Sequence, residues 1–295
     1  MKILLIVALI LLILAVAAWF LMSSFALGIR AQSLEEARAW QEERYDLSWY
    51  DEGDVEDYTI RSFDDYELHV EHIANPEKTG KYVIISHGYS DNRYGALKYG
   101  KMYLDLGFDL IVYDLRGHGL NEPTICTYTI RESRDLLALI EDTRNRYDDI
   151  EMLGLHGESL GAATTLASLR YKPQVDFAVS DCAFSEIKAV LKDGLKSMKL
   201  PGFLVDLAAL SAKIRYGYDM DDMSPLEGLK DNQIPVLFIH GDSDQLIGPY
   251  HMERLMEENG GYEESCLIHG ADHAVSVFTD PDTYYSCVKN FIENL

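Results

Sequence analysis

Ser159, Asp244 and His273 lie far apart in the chain, yet their types are those that turn a hydroxyl into a nucleophile. A serine hydroxyl attacks a carbonyl poorly until a base takes its proton, and an imidazole base works best when a carboxylate orients it. Ser159 stands in Gly157-Glu158-Ser159-Leu160-Gly161, a G-x-S-x-G pentapeptide. The pentapeptide follows the apolar stretch Ile150–His156 and precedes the helix-favouring run Leu160–Arg170. A serine on a tight strand-to-helix turn adopts strained backbone angles, and glycines two residues either side remove the clash a side chain would cause. The pentapeptide alone is a weak signal; its strand–turn–helix setting is what gives it weight.

The base expected is His273, in the glycine-containing loop His269-Gly270-Ala271-Asp272-His273 after the apolar run Cys266–Ile268. His269 stands four residues earlier, but the intervening glycine argues against a helical metal pair and no acidic ligand set completes one, so no metal and no organic cofactor is expected. Two aspartates compete for the acid in Gly241-Asp242-Ser243-Asp244. Asp242 is near enough to the strand to close the turn on its own backbone, whereas Asp244 is far enough out to reach the histidine, and reach favours Asp244. An oxyanion hole needs backbone N–H groups aimed at the developing charge. Leu160 supplies one at a helix N-terminus, and Tyr89, in His87-Gly88-Tyr89-Ser90, is the candidate for the other.

These residues need a frame. Tyr82–Ser86, Leu110–Tyr113, Met152–Leu155, Phe177–Ser180, Val236–Ile239 and Cys266–Ile268 are short, nearly unbroken apolar runs, the pattern of strands buried on both faces. Helical candidates alternate with them: Arg93–Leu106, Thr129–Arg146, Leu160–Tyr171, Tyr250–Asn259 and Pro281–Leu295. Such alternation predicts an α/β fold, a mostly parallel doubly wound sheet with its site at the carboxyl ends of the strands. Val55–Ser62 and Tyr66–Ile73 alternate apolar and polar residues about Asp64-Asp65, which predicts an antiparallel hairpin at the start of the sheet. Residues 184–230 exceed a simple crossover and carry helical segments at Glu186–Lys196 and Phe203–Arg215, an expected small helical cap inserted in a body spanning residues 54–295.

Residues 1–30 read differently. Ile3–Met22 carries no charge, and about 20 apolar residues match the thickness of a bilayer core. The small-x-small triplet Ala15-Val16-Ala17 lies inside that run, which favours a retained anchor over a cleaved signal. Lys2 favours a cytoplasmic N-terminus and an extracytoplasmic body, with Arg30 and Arg38 opposing. Residues 31–53 read as a helical stalk or a helix packed on the body. A net charge of −23 repels phosphates and argues against nucleic-acid binding. Cys126, Cys182, Cys266 and Cys287 form no C-x-x-C; buried free thiols are the expectation, with one or two bridges the alternative if the body is extracytoplasmic.

Five markers together resemble an α/β-hydrolase of the esterase, lipase and serine-aminopeptidase branch: His87-Gly88, Asp114-Leu115-Arg116-Gly117-His118-Gly119, the Ser159 pentapeptide, Gly241-x-x-Asp244, and His273 preceded by Gly270. The order Ser159, Asp244, His273 is the one that architecture uses. The resemblance extends to membrane-anchored bacterial members and implies an α/β-hydrolase fold. It also implies loop-ordering rather than catalytic roles for Arg116 and His118, and an acid at Asp244. Where the family has proline just past the acid, this chain has Gly248-Pro249 after Ile247. The chemistry implied is hydrolysis of carboxylic esters through an acyl-enzyme, with Leu195, Met198, Leu200, Phe203, Leu204, Leu207 and Leu210 either lining an acyl pocket or packing the cap. A peptidase acting on short peptides, and a silent ligand-binding protein on the same fold, are the alternatives.

Overall fold

The protein is described by a computed structural model covering residues 2–295. Eight strands form one sheet: β1 (Asp54–Arg61), β2 (Glu67–Ala74), β3 (Lys81–Ser86), β4 (Phe108–Tyr113), β5 (Met152–Glu158), β6 (Phe177–Asp181), β7 (Val236–Gly241) and β8 (Glu263–Ile268). Their spatial order is β1-β2-β4-β3-β5-β6-β7-β8. β2 pairs antiparallel with β1 and β4, and every later pairing is parallel. The sequence expectation of a parallel sheet opened by an antiparallel hairpin holds.

The helices that precede the sheet are α1 (Lys2–Leu27), α2 (Leu34–Glu42) and α3 (Ser48–Asp51). Within it lie α4 (Gly100–Asp105), α5 (Glu132–Arg146), α6 (Leu160–Ser168), α7 (Ile187–Ser197), α8 (Phe203–Tyr216), α9 (Leu226–Leu229), α10 (Tyr250–Glu258), α11 (Ser276–Thr279) and α12 (Pro281–Glu293). Alternate strand residues feed two cores, as the period of two in a pleated strand demands. Ile84, Ile111 and Leu155 join Leu136 and Leu139 of α5 and Leu166 of α6 on one face. Val83, Val112 and Val179 join Tyr103 of α4 and Tyr284, Val288 and Phe291 of α12 on the other. Burial on both faces explains why these strands read as unbroken apolar runs.

Both edges of the sheet are acidic. β1 exposes Asp54, Glu56 and Asp57, and β8 carries Glu263 and Glu264. Cys266 of β8 forms a disulfide with Cys287 of α12, whose Cα atoms are 6.4 Å apart. This corrects the expectation of four free thiols; Cys126 and Cys182 are free and buried. The pairing escaped the sequence because only packing of the last helix over the edge strand brings the two thiols together. Closing that loop contributes about 3 kcal/mol on a chain-entropy argument.

Of the two readings of residues 31–53, the packed helix describes the fold, and the cap is smaller than expected. The stalk segment is packed: α2 opens with a capping box between Ser33 and Glu36, and its Ala37 and Gln41 are buried against the body. The inserted cap reduces to α7 and α8, because α9 returns to the body and buries Leu229.

Candidate active site

The chain reverses its winding direction at β3, which is hydrogen-bonded to β4 on one side and β5 on the other. Ligands of such sheets bind at the carboxyl ends of strands beside that switch point. Both β3 and β5 end there, in the Gly88-Tyr89 loop and at Ser159.

Ser159 sits between β5 and α6 with φ 52° and ψ −111°, a left-handed backbone that costs a non-glycine residue about 1–3 kcal/mol. Neighbouring glycines make the turn feasible. A Cβ on Gly157 would lie 2.3 Å from the Gly161 carbonyl oxygen, and one on Gly161 would lie 2.1 Å from that of Ser86. The Ser159 N–H donates to Asp181 O at 2.8 Å, and Ala163 N–H donates to Ser159 O at 2.9 Å, so the turn is held on both sides.

His273 follows β8 and reaches over the strand ends, its Nε2 2.9 Å from Ser159 Oγ. Its Nδ1 lies 2.7 Å from Asp244 Oδ2. The other Asp244 oxygen accepts the N–H groups of Leu246 and Ile247 at 2.9 and 2.8 Å. His240 Nε2 donates to Ile247 O at 2.7 Å and stands 3.4 Å from Asp244 Oδ2. Burial alone would raise the Asp244 pKa, but the histidines around it and the Ile247 N–H hold the carboxyl well below the usual carboxylate range. An ionised carboxylate only accepts, so the His273 proton sits on Nδ1, and the neutral ring then offers its Nε2 lone pair to the Ser159 hydroxyl.

Asp242 does something else: it accepts from His269 Nδ1 at 2.5 Å and from Gly270 N–H at 2.7 Å, closing the turn between two strand ends. Among the described residues, neither the Tyr89 nor the Leu160 N–H donates a hydrogen bond. The Tyr89 hydroxyl donates to Gly28 O at 2.6 Å, so its ring faces the junction with α1. Arg116 is buried between Asp135 and Asp64, its Nε 2.8 Å from Asp135 Oδ2, and His118 Nδ1 lies 3.0 Å from Arg116 O. Cys182 Sγ, Asp244 and His273 bring potential metal-ligand atoms within 4.8 Å of one another. The facing atoms of Asp244 and His273 are already joined by their hydrogen bond.

A buried network beneath Ser159 was not visible in the sequence. Lys98, its side chain largely buried, pairs with Glu158, the residue before Ser159, and donates to Ala274 O, the residue after His273, at 3.3 Å. Tyr99 OH lies 2.7 Å from Glu158 Oε2 and 3.0 Å from Asp181 Oδ2, which also accepts from Tyr284 OH at 3.0 Å. Tyr284 OH in turn lies 3.3 Å from His156 Nε2. Burial, then the Lys98 charge, pushes the His156 pKa down to about 3. A ring kept neutral when folded but protonated when unfolded contributes stability above pH ~6.5 that is lost as pH falls towards 3. The His156→Gln variant lacks this component. Its stability deficit relative to wild type is expected to shrink by about 1.4 kcal/mol per pH unit from pH 6 to 4 in urea unfolding. A deficit independent of pH would contradict the buried neutral ring.

A family model described as serine aminopeptidase, S33, matches residues 77–224. The uncharacterized protein YqkD of Bacillus subtilis (strain 168) is 32% identical over 242 residues, which are 81% of this chain and 79% of YqkD. A Saccharomyces cerevisiae protein described as the uncharacterized membrane protein YNL320W is 22% identical over 203 residues, 68% of this chain and 67% of its own. Among solved structures, the Pyrococcus furiosus esterase Pf2001 superposes with a TM-score of 0.71 at 21% identity, covering 85% of this chain and 94% of the esterase. The fold is that of the α/β-hydrolases. The chain belongs to the serine aminopeptidase S33 family of that fold, and its family chemistry is hydrolysis.

Proposed function

We propose that the protein is a serine hydrolase that cleaves carboxylic esters with an apolar acyl group, held at a membrane by α1. The observation that carries this reading is the series of contacts Ser159 Oγ to His273 Nε2 and His273 Nδ1 to Asp244 Oδ2, at 2.9 and 2.7 Å. Ser159 Oγ bonds to the acyl carbon as His273 takes its proton. The unpaired Tyr89 and Leu160 N–H groups receive the oxyanion, each such donor being worth about a hundredfold or more in rate. The leaving alcohol takes the proton from His273, and water, activated by the same ring, releases the acid and restores Ser159.

An ester rather than a peptide fits the wall beside Tyr89, which is apolar and whose only charged member is Arg30. A free amino terminus there would meet a cation rather than a carboxylate. The extracytoplasmic side is supported by the Cys266–Cys287 disulfide, which suits an oxidising compartment.

A membrane-impermeant fluorophosphonate applied to intact cells tests activity and side together. Covalent labelling of wild type before lysis is the expected result. Labelling only after lysis moves the body inside, and no labelling of folded protein in either condition removes the hydrolase reading. Hydrolysis of aminoacyl amides but not of acyl esters by the purified enzyme would exchange esterase for peptidase.

A further inference from the structure

The first helix does not stand apart from the body. Its length and composition suit a bilayer crossing, yet its last turns dock on the cap and the body. Trp19 Nε1 donates to Leu207 O at 2.8 Å, Ser211 Oγ donates to Ser23 Oγ at 3.0 Å, and Arg215 Nη1 donates to Phe20 O at 3.1 Å. Tyr128 OH donates to Ala26 O at 2.9 Å, and Cys126 N–H to Leu27 O at 2.8 Å. The two pairs Trp19–Leu207 and Ser23–Ser211 share one sequence offset, so α8 runs parallel to α1. Both helices rise equally per residue, so the start of α8 at Phe203 lies level with Ala15, well inside the apolar run.

Between α1 and the cap lies a groove of about 630 Å³. One face of α1 forms a wall of it through Ala18, Leu21, Met22 and Phe25, and α7 and α8 form the other through Leu195 and Leu204. Tyr89 and Tyr128 also line it. The residue before Tyr89 is Gly88, where a Cβ would lie 3.7 Å from Ser159 Cβ. Its outer lip is open, with Leu21 66% and Phe25 74% exposed. The free face of α8 repeats exposed apolar residues at Phe203, Leu207, Leu210 and Ile214, a helix apolar on both sides. Such a helix suits a lipid-facing position rather than water. Segment 187–216 also carries six basic and two acidic residues in a chain of net charge −23, a local reversal that suits anionic headgroups.

We infer that α1 is a wall of the substrate site, and that the groove takes one acyl chain of a long-chain bilayer lipid ester entering sideways from the membrane. This rests on the ester-hydrolase reading above and on α1 crossing the bilayer. The chain lies along Ala18 and Leu204 at hydrocarbon depth, and the ester reaches Ser159 at the interface past Arg30. The lipid therefore moves laterally and keeps its chain out of water, avoiding about 0.8 kcal/mol per methylene that extraction would cost.

The test uses the full chain in vesicles of phosphatidylcholine and phosphatidylglycerol, comparing wild type with Ala18→Trp on nitrophenyl acetate and nitrophenyl palmitate. The ring is expected to lower palmitate turnover at least tenfold relative to acetate. An unchanged chain-length profile overturns the inference while leaving the hydrolase reading intact. Loss of acetate hydrolysis by wild type itself would instead remove the hydrolase reading. A second measurement is independent of the variant's folding: a lipid ester with a diazirine at its chain end, placed in the same vesicles. Crosslinks at Leu21, Phe25 or Leu204 are expected; crosslinks confined to the outer face of α1, such as Leu9 or Leu12, overturn the inference.

Discussion

The Ser159→Ala variant is expected to hydrolyse acyl esters with a kcat about a million-fold below wild type, at nearly unchanged KM. Alanine leaves the rest of the site in place. Its Cβ occupies the same position, and its backbone keeps the strained angles and the N–H bond to Asp181 O that hold the turn. The N–H groups of Tyr89 and Leu160 also remain, so what disappears is the atom proposed above to form the covalent bond. In other triads, loss of the nucleophile costs about as much as loss of all three members. Steady-state kinetics on a nitrophenyl ester and a thermal melt settle the matter. Retention of more than about one part in a hundred of the activity, in a protein that melts like wild type, would mean another group attacks the carbonyl.

Asp244→Asn is expected to lower kcat by about ten-thousand-fold, the size of effect seen when a triad histidine is left in the wrong tautomer. The reason is specific to this site. One Asp244 oxygen is committed to the N–H groups of Leu246 and Ile247. An asparagine must keep its single oxygen on those donors, which turns its NH₂ towards His273 Nδ1. That nitrogen can then only accept, so the ring proton moves to Nε2, the atom that faces Ser159 Oγ, and the base is lost. The companion variant Asp242→Asn is expected to change kcat by no more than a few-fold, on the order of a surface change, because Asp242 serves the turn through His269 and Gly270. Equal losses in the two variants would break the assignment of the acid. The two kinetic profiles, measured beside each other, decide it.

The sheet was legible because its strands are covered on both sides, which forces unbroken apolar runs such as Tyr82–Ser86 and Phe177–Ser180. The turn at Ser159 was legible because carbonyl oxygens crowd Gly157 and Gly161 and permit no side chain there. The choice of Asp244 over Asp242 rested on reach; Asp244 Oδ2 lies 2.7 Å from His273 Nδ1, whereas Asp242 accepts from His269 and Gly270. Other features had no local signature. Lys98 and Glu158 look like surface charges in a sequence, and only the packing around them shows a buried pair. Cys266 and Cys287 carry no spacing motif, and their pairing depends on where α12 settles. The alignment of α1 with α8 joins segments at opposite ends of the first three-quarters of the chain, and hydrophobicity alone cannot set such a register.

The acidic borders of the sheet matter most where neighbours are confined to two dimensions. Tethered copies diffusing in one plane meet far more often than the same number free in solution, and an open strand flank is a template for stacking. Here each flank presents carboxylates, Asp54, Glu56 and Asp57 on one side and Glu263 and Glu264 on the other, so two copies meeting flank to flank repel before their backbones can pair. With α1 as the proposed membrane tether, crowding at the surface would therefore raise collision frequency without seeding strand-by-strand polymerisation.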